Sequence, residues 1–223
     1  GDSVESLVPI TEYSGYATAL KAVWSPDGSR IVATLNEGKG SGIYSMNIDG
    51  SEVVHLTPNF LFSSVKYDPA WSSDGRYILY FNSTWLNEPD IYRMNADGSN
   101  PINLTENDFR DGVFGLSPDA KYIAFVSARR TPDDPNVYDN DIYTMDLDGL
   151  NVTRLTSTTR NVGPPIWSPD GRHIGFVSAG DTLQAKDIYV MDTDGSNMTQ
   201  LTNIHGVQNF SWSNKKKKLA FSS

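Results

Sequence analysis

One residue position, just ahead of a Ser-Pro-Asp-Gly turn or a variant of it, recurs along the chain at Trp24, Trp71, Leu116, Trp167 and Trp212, with spacings of 47, 45, 51 and 45 residues. A second landmark, Leu-Thr, recurs at Leu56-Thr57, Leu104-Thr105, Leu155-Thr156 and Leu201-Thr202, with spacings of 48, 51 and 46. Two independent landmarks with one period define an internal repeat, and a repeat of this length restricts the chain to solenoid, propeller or array architectures.

The wording inside a unit decides among these. A short apolar stretch such as Gly163–Trp167 ends at the landmark residue. Ser-Pro-Asp-Gly then turns the chain: proline presets φ, aspartate accepts backbone N–H groups and glycine takes positive φ. An alternating strand follows, as at Tyr77–Asn82 and His173–Ser178. After a loop of variable length comes a third strand, Asp-Ile-Tyr-x-Met, beginning at Asp90, Asp141 and Asp187, with Gly42 at that place in the first unit. Asp-x-Asp-Gly at 146–149 and 192–195, or Asn-x-Asp-Gly at 47–50 and 95–98, is a strong hairpin signal. A fourth strand closes on Leu-Thr, and no segment carries a 3.6-residue period.

Four antiparallel strands in about 45 residues make a propeller blade. A single such sheet cannot bury both its faces, so blades must cover one another, and the Trp, Tyr and Phe side chains fill the interfaces. The predicted fold is all-β, a β-propeller of four-stranded antiparallel blades, five by this count. The chain reads as one domain over residues 1–223, with units at 12–57, 58–105, 106–156 and 157–202. Glu5–Thr11 aligns with Ser51–Thr57 as a fourth strand, while 203–223 supply a first and a second strand. Joining 203–223 with 1–11 makes a closing blade, in which the N-terminal strand seals the ring against the C-terminal strands and leaves no free edge. That blade lacks an Ile-Tyr-x-Met strand, so it is three-stranded, or further residues complete it, or the ring is larger than five blades. Its turn, with Asn214-Lys215-Lys216 replacing Pro-Asp-Gly, is also less specified.

Composition sets limits on function. With 38% hydrophobic and 11% aromatic residues, 223 residues can bury a core. No run approaches the roughly 18–20 apolar residues of a membrane helix. The first residues have neither a basic nor an apolar signal-peptide region, so no leader is retained, and a removed one fits. The chain has no cysteine, which rules out disulfides, thiolate metal sites and cysteine nucleophiles. A net charge of −9 makes nucleic acid a poor prospect as a partner, although much of the acid lies in the repeated turns. The basic run Lys215–Lys218 reads as a solvated turn.

The units resemble the TolB-like PD40 repeats, a WD-type β-propeller family. The matching segments are "AVWSPDGSRIVATL…GIYSMNIDGSEVVHLT", "PAWSSDGRYILYFN…DIYRMNADGSNPINLT", "GLSPDAKYIAFVS…DIYTMDLDGLNVTRLT" and "PIWSPDGRHIGFVS…DIYVMDTDGSNMTQLT", nearly the whole chain. The resemblance implies a non-enzymatic protein-binding or complex-scaffolding propeller in the periplasm or outside the cell, its signal peptide removed, with another protein as its partner. It also leaves two alternatives: an accessory, substrate-gating propeller of a larger hydrolase or peptidase, and a propeller that binds a small ligand or metal. Fold by itself settles none of these.

Strand directions place the two kinds of turn at one end of each blade and the variable loops at the other. Binding residues belong on variable loops held by a rigid scaffold. These loops carry Phe60, Phe62, Trp85, Phe109, Arg110, Arg129, Arg130, Tyr138, Arg160 and His205, and aromatic and arginine side chains are the usual anchors of protein interfaces. The bland reading tucks the phenylalanines under their loops as local core. Arg129 and Arg130, beside Asp133 and Asp134, form either an internal ion-pair cluster or a recognition loop. Asp90, Asp141 and Asp187 are read as caps on the third strand and nearby loop amides. No cofactor is expected. Calcium stays open at the Asp-x-Asp-Gly turns, although their glycine comes too early for an EF-hand loop and the distal Glu is missing. No Gly-x-Ser-x-Gly elbow is present, and His55, His173 and His205 fall at different repeat positions, so no catalytic site is expected. The sequons at Asn82, Asn103, Asn151, Asn197 and Asn209 largely follow from the repeat wording itself.

Overall fold

The computed structural model describes residues 19–36, 40–57, 64–84, 87–107, 109–129, 140–157, 162–179, 186–213 and 218–223. No helix occurs among them. The chain divides into two compact units, Gly1–Asp108 and Phe109–Ser223.

The first unit holds two blades. Blade one comprises β1 (Ala19–Trp24), β2 (Arg30–Asn36), β3 (Ser41–Asn47) and β4 (Val54–His55). Blade two comprises β5 (Ser64–Trp71), β6 (Tyr77–Thr84), β7 (Asp90–Asn95) and β8 (Ile102–Asn103). Neighbouring strands within each blade are antiparallel, and one parallel bridge, Ser41 to Val65, links the two blades. The second unit holds blade three, β9 (Asp111–Leu116), β10 (Tyr122–Ser127), β11 (Asp141–Asp146) and β12 (Thr153–Arg154). Blade four is β13 (Ile166–Trp167), β14 (His173–Ala179), β15 (Lys186–Asp192) and β16 (Thr199–Gln200). A two-stranded sheet of β17 (Asn209–Trp212) and β18 (Leu219–Ser222) follows. The first and second strands expected at the C-terminus are therefore present. Residues 5–11 and 214–217 lie outside the described residues.

The first turn of each blade is locked by a residue that the sequence reading passed over. Ser25, Ser72, Ser117 and Ser168 are buried. Each hydroxyl donates to the aspartate two residues on, at 2.6–2.8 Å. Each also accepts the N–H that opens strand two, from Arg30, Tyr77, Tyr122 or His173, at 2.9–3.0 Å. The aspartates accept further backbone N–H groups two residues on, as expected. At Asp27 the Ser25 hydroxyl, followed by Ser29, holds the carboxyl down to about 2. Gly28, Gly75 and Gly171 have φ of 68–70°, and Ala120 takes the same left-handed place in blade three at φ 55°.

Blades pack on blades within each unit. In the first, Val32, Ile43 and Leu56 of blade one form one buried cluster with Ile78, Tyr80 and Met94 of blade two, and Trp71 packs against it. In the second, Ala124, Val126, Ile142 and Leu155 meet Trp167, Ile174, Phe176 and Met191. Burying each such side chain is worth about 1.5–3 kcal/mol, so these inter-blade faces carry most of the driving force. The landmark tryptophans add directional bonds: the Trp167 indole N–H donates to the Gly115 carbonyl at 3.0 Å, and that of Trp212 to Ile166 at 3.1 Å.

The second turn of one blade seats on the blade before it. Gly195 has φ +86°, and a Cβ there would stand 2.8 Å from the Leu155 carbonyl oxygen. Gly28 has φ +70° with nothing near its missing Cβ. Gly28→Ala should therefore cost only the backbone strain, about 1 kcal/mol. Gly195→Ala should cost about 2–3 kcal/mol, because the leucine backbone must also move. Urea unfolding of the two variants checks the order, and equal losses would mean the turn does not bear on Leu155.

Candidate functional site

At the loop end of each blade the fourth strand stops after two paired residues. The leucine of Leu-Thr donates its N–H to the third-strand isoleucine carbonyl at 2.8–2.9 Å, at Ile43, Ile91, Ile142 and Ile188. The threonine hydroxyl then accepts the N–H of the same isoleucine at 2.9–3.0 Å. In blades two to four the hydroxyl proton goes to the aspartate that opens strand three: Asp90 at 3.3 Å, Asp141 at 2.7 Å and Asp187 at 2.8 Å. In blade one, where Gly42 stands, the Ser41 hydroxyl instead donates to the Lys66 carbonyl at 2.6 Å.

The second carboxylate oxygen takes a different partner in each blade, which is where the ends diverge. Asp90 accepts from Asn103 at 2.9 Å. Asp141, fully buried, accepts Nε of Arg154 at 3.0 Å and also its Nη2. Asp187, equally buried, accepts Nε2 of Gln200 at 3.3 Å on its second oxygen, which also stands 3.0 Å from Nδ1 of His205, while the oxygen that takes Thr202 also takes the Ile204 and His205 N–H groups at 3.0 and 3.4 Å. Capping of loop amides, as read from the sequence, therefore occurs at Asp187. Burial pushes the Asp187 carboxyl up, but the donors Thr202, Ile204 and His205 outweigh it and hold the group below its ordinary 3.8. His205 sits at φ +57° with its side chain 58% exposed, so its backbone is fixed and its ring is presented to solvent.

Arg110 and Arg129 both belong to blade three, where they differ in exposure. The Arg110 carbonyl accepts the Ala128 N–H at 3.1 Å, and the Arg110 side chain is exposed. Arg129 turns inward: its Nε donates to Ser127 at 3.1 Å and lies 3.8 Å from buried Asp111, with the guanidinium over the rings of Phe125 and Tyr143 at 5.2 and 5.4 Å. Its carboxylate neighbour is thus Asp111; Asp133 and Asp134 lie outside the described residues. So do Phe60, Phe62, Trp85, Arg130, Tyr138 and Arg160, while Phe109 is half-buried. Sequence reasoning missed Asp111, Arg154 and the threonines. The threonines had a signal, since aspartate and threonine recur fifteen residues apart in blades two to four.

The turn aspartates are occupied by neighbouring serines: Asp49, Asp97 and Asp194 each accept a serine N–H at 2.9 Å and its hydroxyl at 2.6 Å. Among the described residues no three His, Asp or Glu side chains converge as metal ligands would.

Known proteins share this arrangement. The family described as TolB beta propeller domain, PD40, matches residues 6–135. An uncharacterised protein of Agrobacterium fabrum is 34% identical over 158 residues, covering 69% of this chain and 53% of the relative. A TolB homologue of Chlorobium chlorochromatii is 28% identical over 165 residues, covering 74% and 34%. The chain thus spans about half and a third of the lengths of these two relatives. The solved structure of a TolB-type protein from Agrobacterium tumefaciens superposes with a TM-score of 0.71 at 27% identity, covering 92% of this chain and 69% of that one. Oligogalacturonate lyase in complex with manganese has a TM-score of 0.67 at 15% identity, covering 86% and 55%, a likeness of fold alone.

Because its carboxyl is held below 3.8 when folded, Asp187 adds stability above the unfolded value and loses it as the pH falls through the folded one. The unfolding midpoint should stay level from about pH 7 to 5 and drop below about pH 4. Asp187→Asn should start less stable at neutral pH and lose less on acidification. An identical acid loss in the variant would mean that Asp187 titrates alike folded and unfolded.

Proposed function

The chain belongs to the TolB beta propeller family, and on that premise we propose that it is a non-enzymatic protein-binding or complex-scaffolding module, with the loop ends of its blades as the binding surface. One observation carries the reading: the two ends of a blade use their polar groups differently. At the turn end of blades one to four the same serine–aspartate pair recurs, its serine hydroxyl donating to the aspartate and accepting the N–H that opens strand two. At the loop end of blades two to four the aspartate–threonine base recurs, while what stands on it changes from Asn103 to Arg154 to Gln200 with His205. A constant base under variable side chains is how rigid scaffolds present recognition loops. His205 is exposed on that base, Arg110 is exposed at the start of β9, and by sequence Phe60, Trp85, Arg130, Tyr138 and Arg160 fall on the same class of loop. Arg129, largely covered over Phe125 and Tyr143, would not touch a partner directly.

The ring belongs to the same proposal: one domain over residues 1–223, five blades, closed by Glu5–Thr11. Trp24 supports a further blade beside blade one, because it is 60% exposed whereas Trp71, at the same place in blade two, packs on the blade before it. A periplasmic or extracellular location is proposed with it. Among the described residues no helix is long and apolar enough to cross a membrane.

A photo-cross-linking residue at Arg110 or His205 should capture the native partner in cells, and one at Asp27 or Asp49 should not. Arg110→Glu should weaken that complex about tenfold or more, the loss of an interface arginine. Capture only from the turn positions would overturn the reading.

A further inference from the structure

The Asp-Gly step that turns this chain also carries a covalent reaction of its own. A glycine nitrogen, unshielded by a side chain, can attack the carboxyl carbon of the aspartate before it and close a succinimide ring. The reaction needs the neutral carboxyl, and it needs that side chain to swing back over the nitrogen. A fold that fixes the carboxylate elsewhere therefore suppresses it. Asp-Gly occurs eight times in the chain, once at Asp111, which is buried in β9, and seven times in turns.

Six of the seven turns share one restraint. Asp27, Asp49, Asp74, Asp97, Asp170 and Asp194 each accept the N–H two residues on, at 2.9–3.2 Å. Each also accepts a serine hydroxyl at 2.6–2.7 Å. At Asp27, Asp49, Asp97, Asp170 and Asp194 a serine hydroxyl, followed by a backbone N–H, holds the carboxyl below its ordinary 3.8 and so withdraws the neutral form. The turn at Asp148 is tied differently. Leu150 stands where Ser51, Ser99 and Ser196 stand in the other blades. Its N–H goes to Oδ1 of Asp146 at 2.8 Å, as the Asp148 N–H does at 3.0 Å, and Asn151 donates to Oδ2 of Asp146 at 3.0 Å. This turn hangs on its first aspartate rather than its second. The two donors that restrain the other six carboxylates are here replaced or committed elsewhere, and Asp148 is exposed.

We propose that Asp148-Gly149 is a site of self-modification, at which the aspartate isomerises to isoaspartate through a succinimide. The Gly149 nitrogen forms a bond to Cγ of Asp148, the Cγ–O bond of the neutral carboxyl breaks, and the hydroxyl leaves with the amide proton as water. A water molecule then adds to the ring. Where it opens the bond between the Asp148 main-chain carbonyl carbon and the Gly149 nitrogen, the chain continues through Cβ and Cγ, and the former main-chain carbonyl becomes a carboxylate. Water lost and water gained balance, and no oxidant or other reactant is needed. The product lengthens the backbone by one methylene inside the hairpin that joins β11 to β12, next to the Leu150 and Asn151 donors that hold Asp146. The proposal does not depend on the loop-end reading.

The test is to hold the folded 223-residue chain at neutral pH below its melting temperature, digest samples over time with endoproteinase Asp-N, which does not cut before isoaspartate, and weigh the peptides. Isoaspartate should accumulate at residue 148 about tenfold or more faster than at Asp194, the weight of one hydrogen bond to a charged group. Leu150→Ser should slow residue 148 to the rate at 194, and Ser196→Leu should raise 194 to the rate at 148. Both positions are exposed, so neither change should move the melting temperature. In concentrated urea the two sites should react alike, because the fold alone separates them. Equal rates in the folded chain, a difference that persists in urea, or a variant whose site keeps its original rate would overturn the proposal.

Discussion

A single hydroxyl, that of the Leu-Thr threonine, decides where each blade ends. The fourth strand pairs through only two residues, too few to satisfy the third-strand isoleucine from the main chain alone. The leucine N–H takes the isoleucine carbonyl and the threonine oxygen takes its N–H, so a side chain completes the ladder. The main chain is then free to leave the sheet and cross to the next blade. Without that hydroxyl a buried N–H would go unpaired, at a cost of about 1–3 kcal/mol per blade. The hydroxyl proton, donated to Asp90, Asp141 or Asp187, then fixes the start of strand three as well. One threonine therefore ties together both loops at that end of the blade.

The opposite end is held by a matching but closed device. There, in blades one to four, the buried serine hydroxyl is fully used, donating to its aspartate and accepting the N–H that opens strand two. At the loop end the carboxylate of blades two to four has an oxygen left over after the threonine. Whatever side chain the sequence places nearby fills it: an amide at Asn103, a guanidinium at Arg154, an amide at Gln200 beside the imidazole of His205. Variation there is tolerated without loss of the fold, since the shared aspartate accepts any of these donors.

The fold was legible because propeller blades are built from local signals. The turn glycines take the positive φ their motifs predict, and Asp-Ile-Tyr-x-Met is the third strand wherever it is written. The roles of Ser72 and Thr156 were not legible, because they recur with the repeat as parts of motifs already explained as turn and strand, and their partners lie five and fourteen or fifteen residues away. Arg129 shows a second limit. Its charged sequence neighbours suggested one pairing, but the strand carries its side chain back over Phe125 and Tyr143 toward Asp111, on a different strand. Ala120 shows a third: a left-handed residue without a glycine is visible only in the backbone.

The same device changes the meaning of the net charge. A balance of −9 invites the idea of an acidic surface seeking cations or basic partners. Yet Asp27, Asp49, Asp74, Asp97, Asp119, Asp170 and Asp194 sit in turns where a serine hydroxyl and a backbone N–H engage at least one carboxylate oxygen of each. Asp141 and Asp187 are buried under their own donors. A carboxylate engaged in this way keeps its charge and loses its readiness to bind, because a new ligand must first break bonds the turn needs. The acidity of the chain is largely a consequence of a repeat that turns on aspartate. On the proposed function, recognition then falls to groups outside the repeat, such as the exposed Arg110 and the ring of His205.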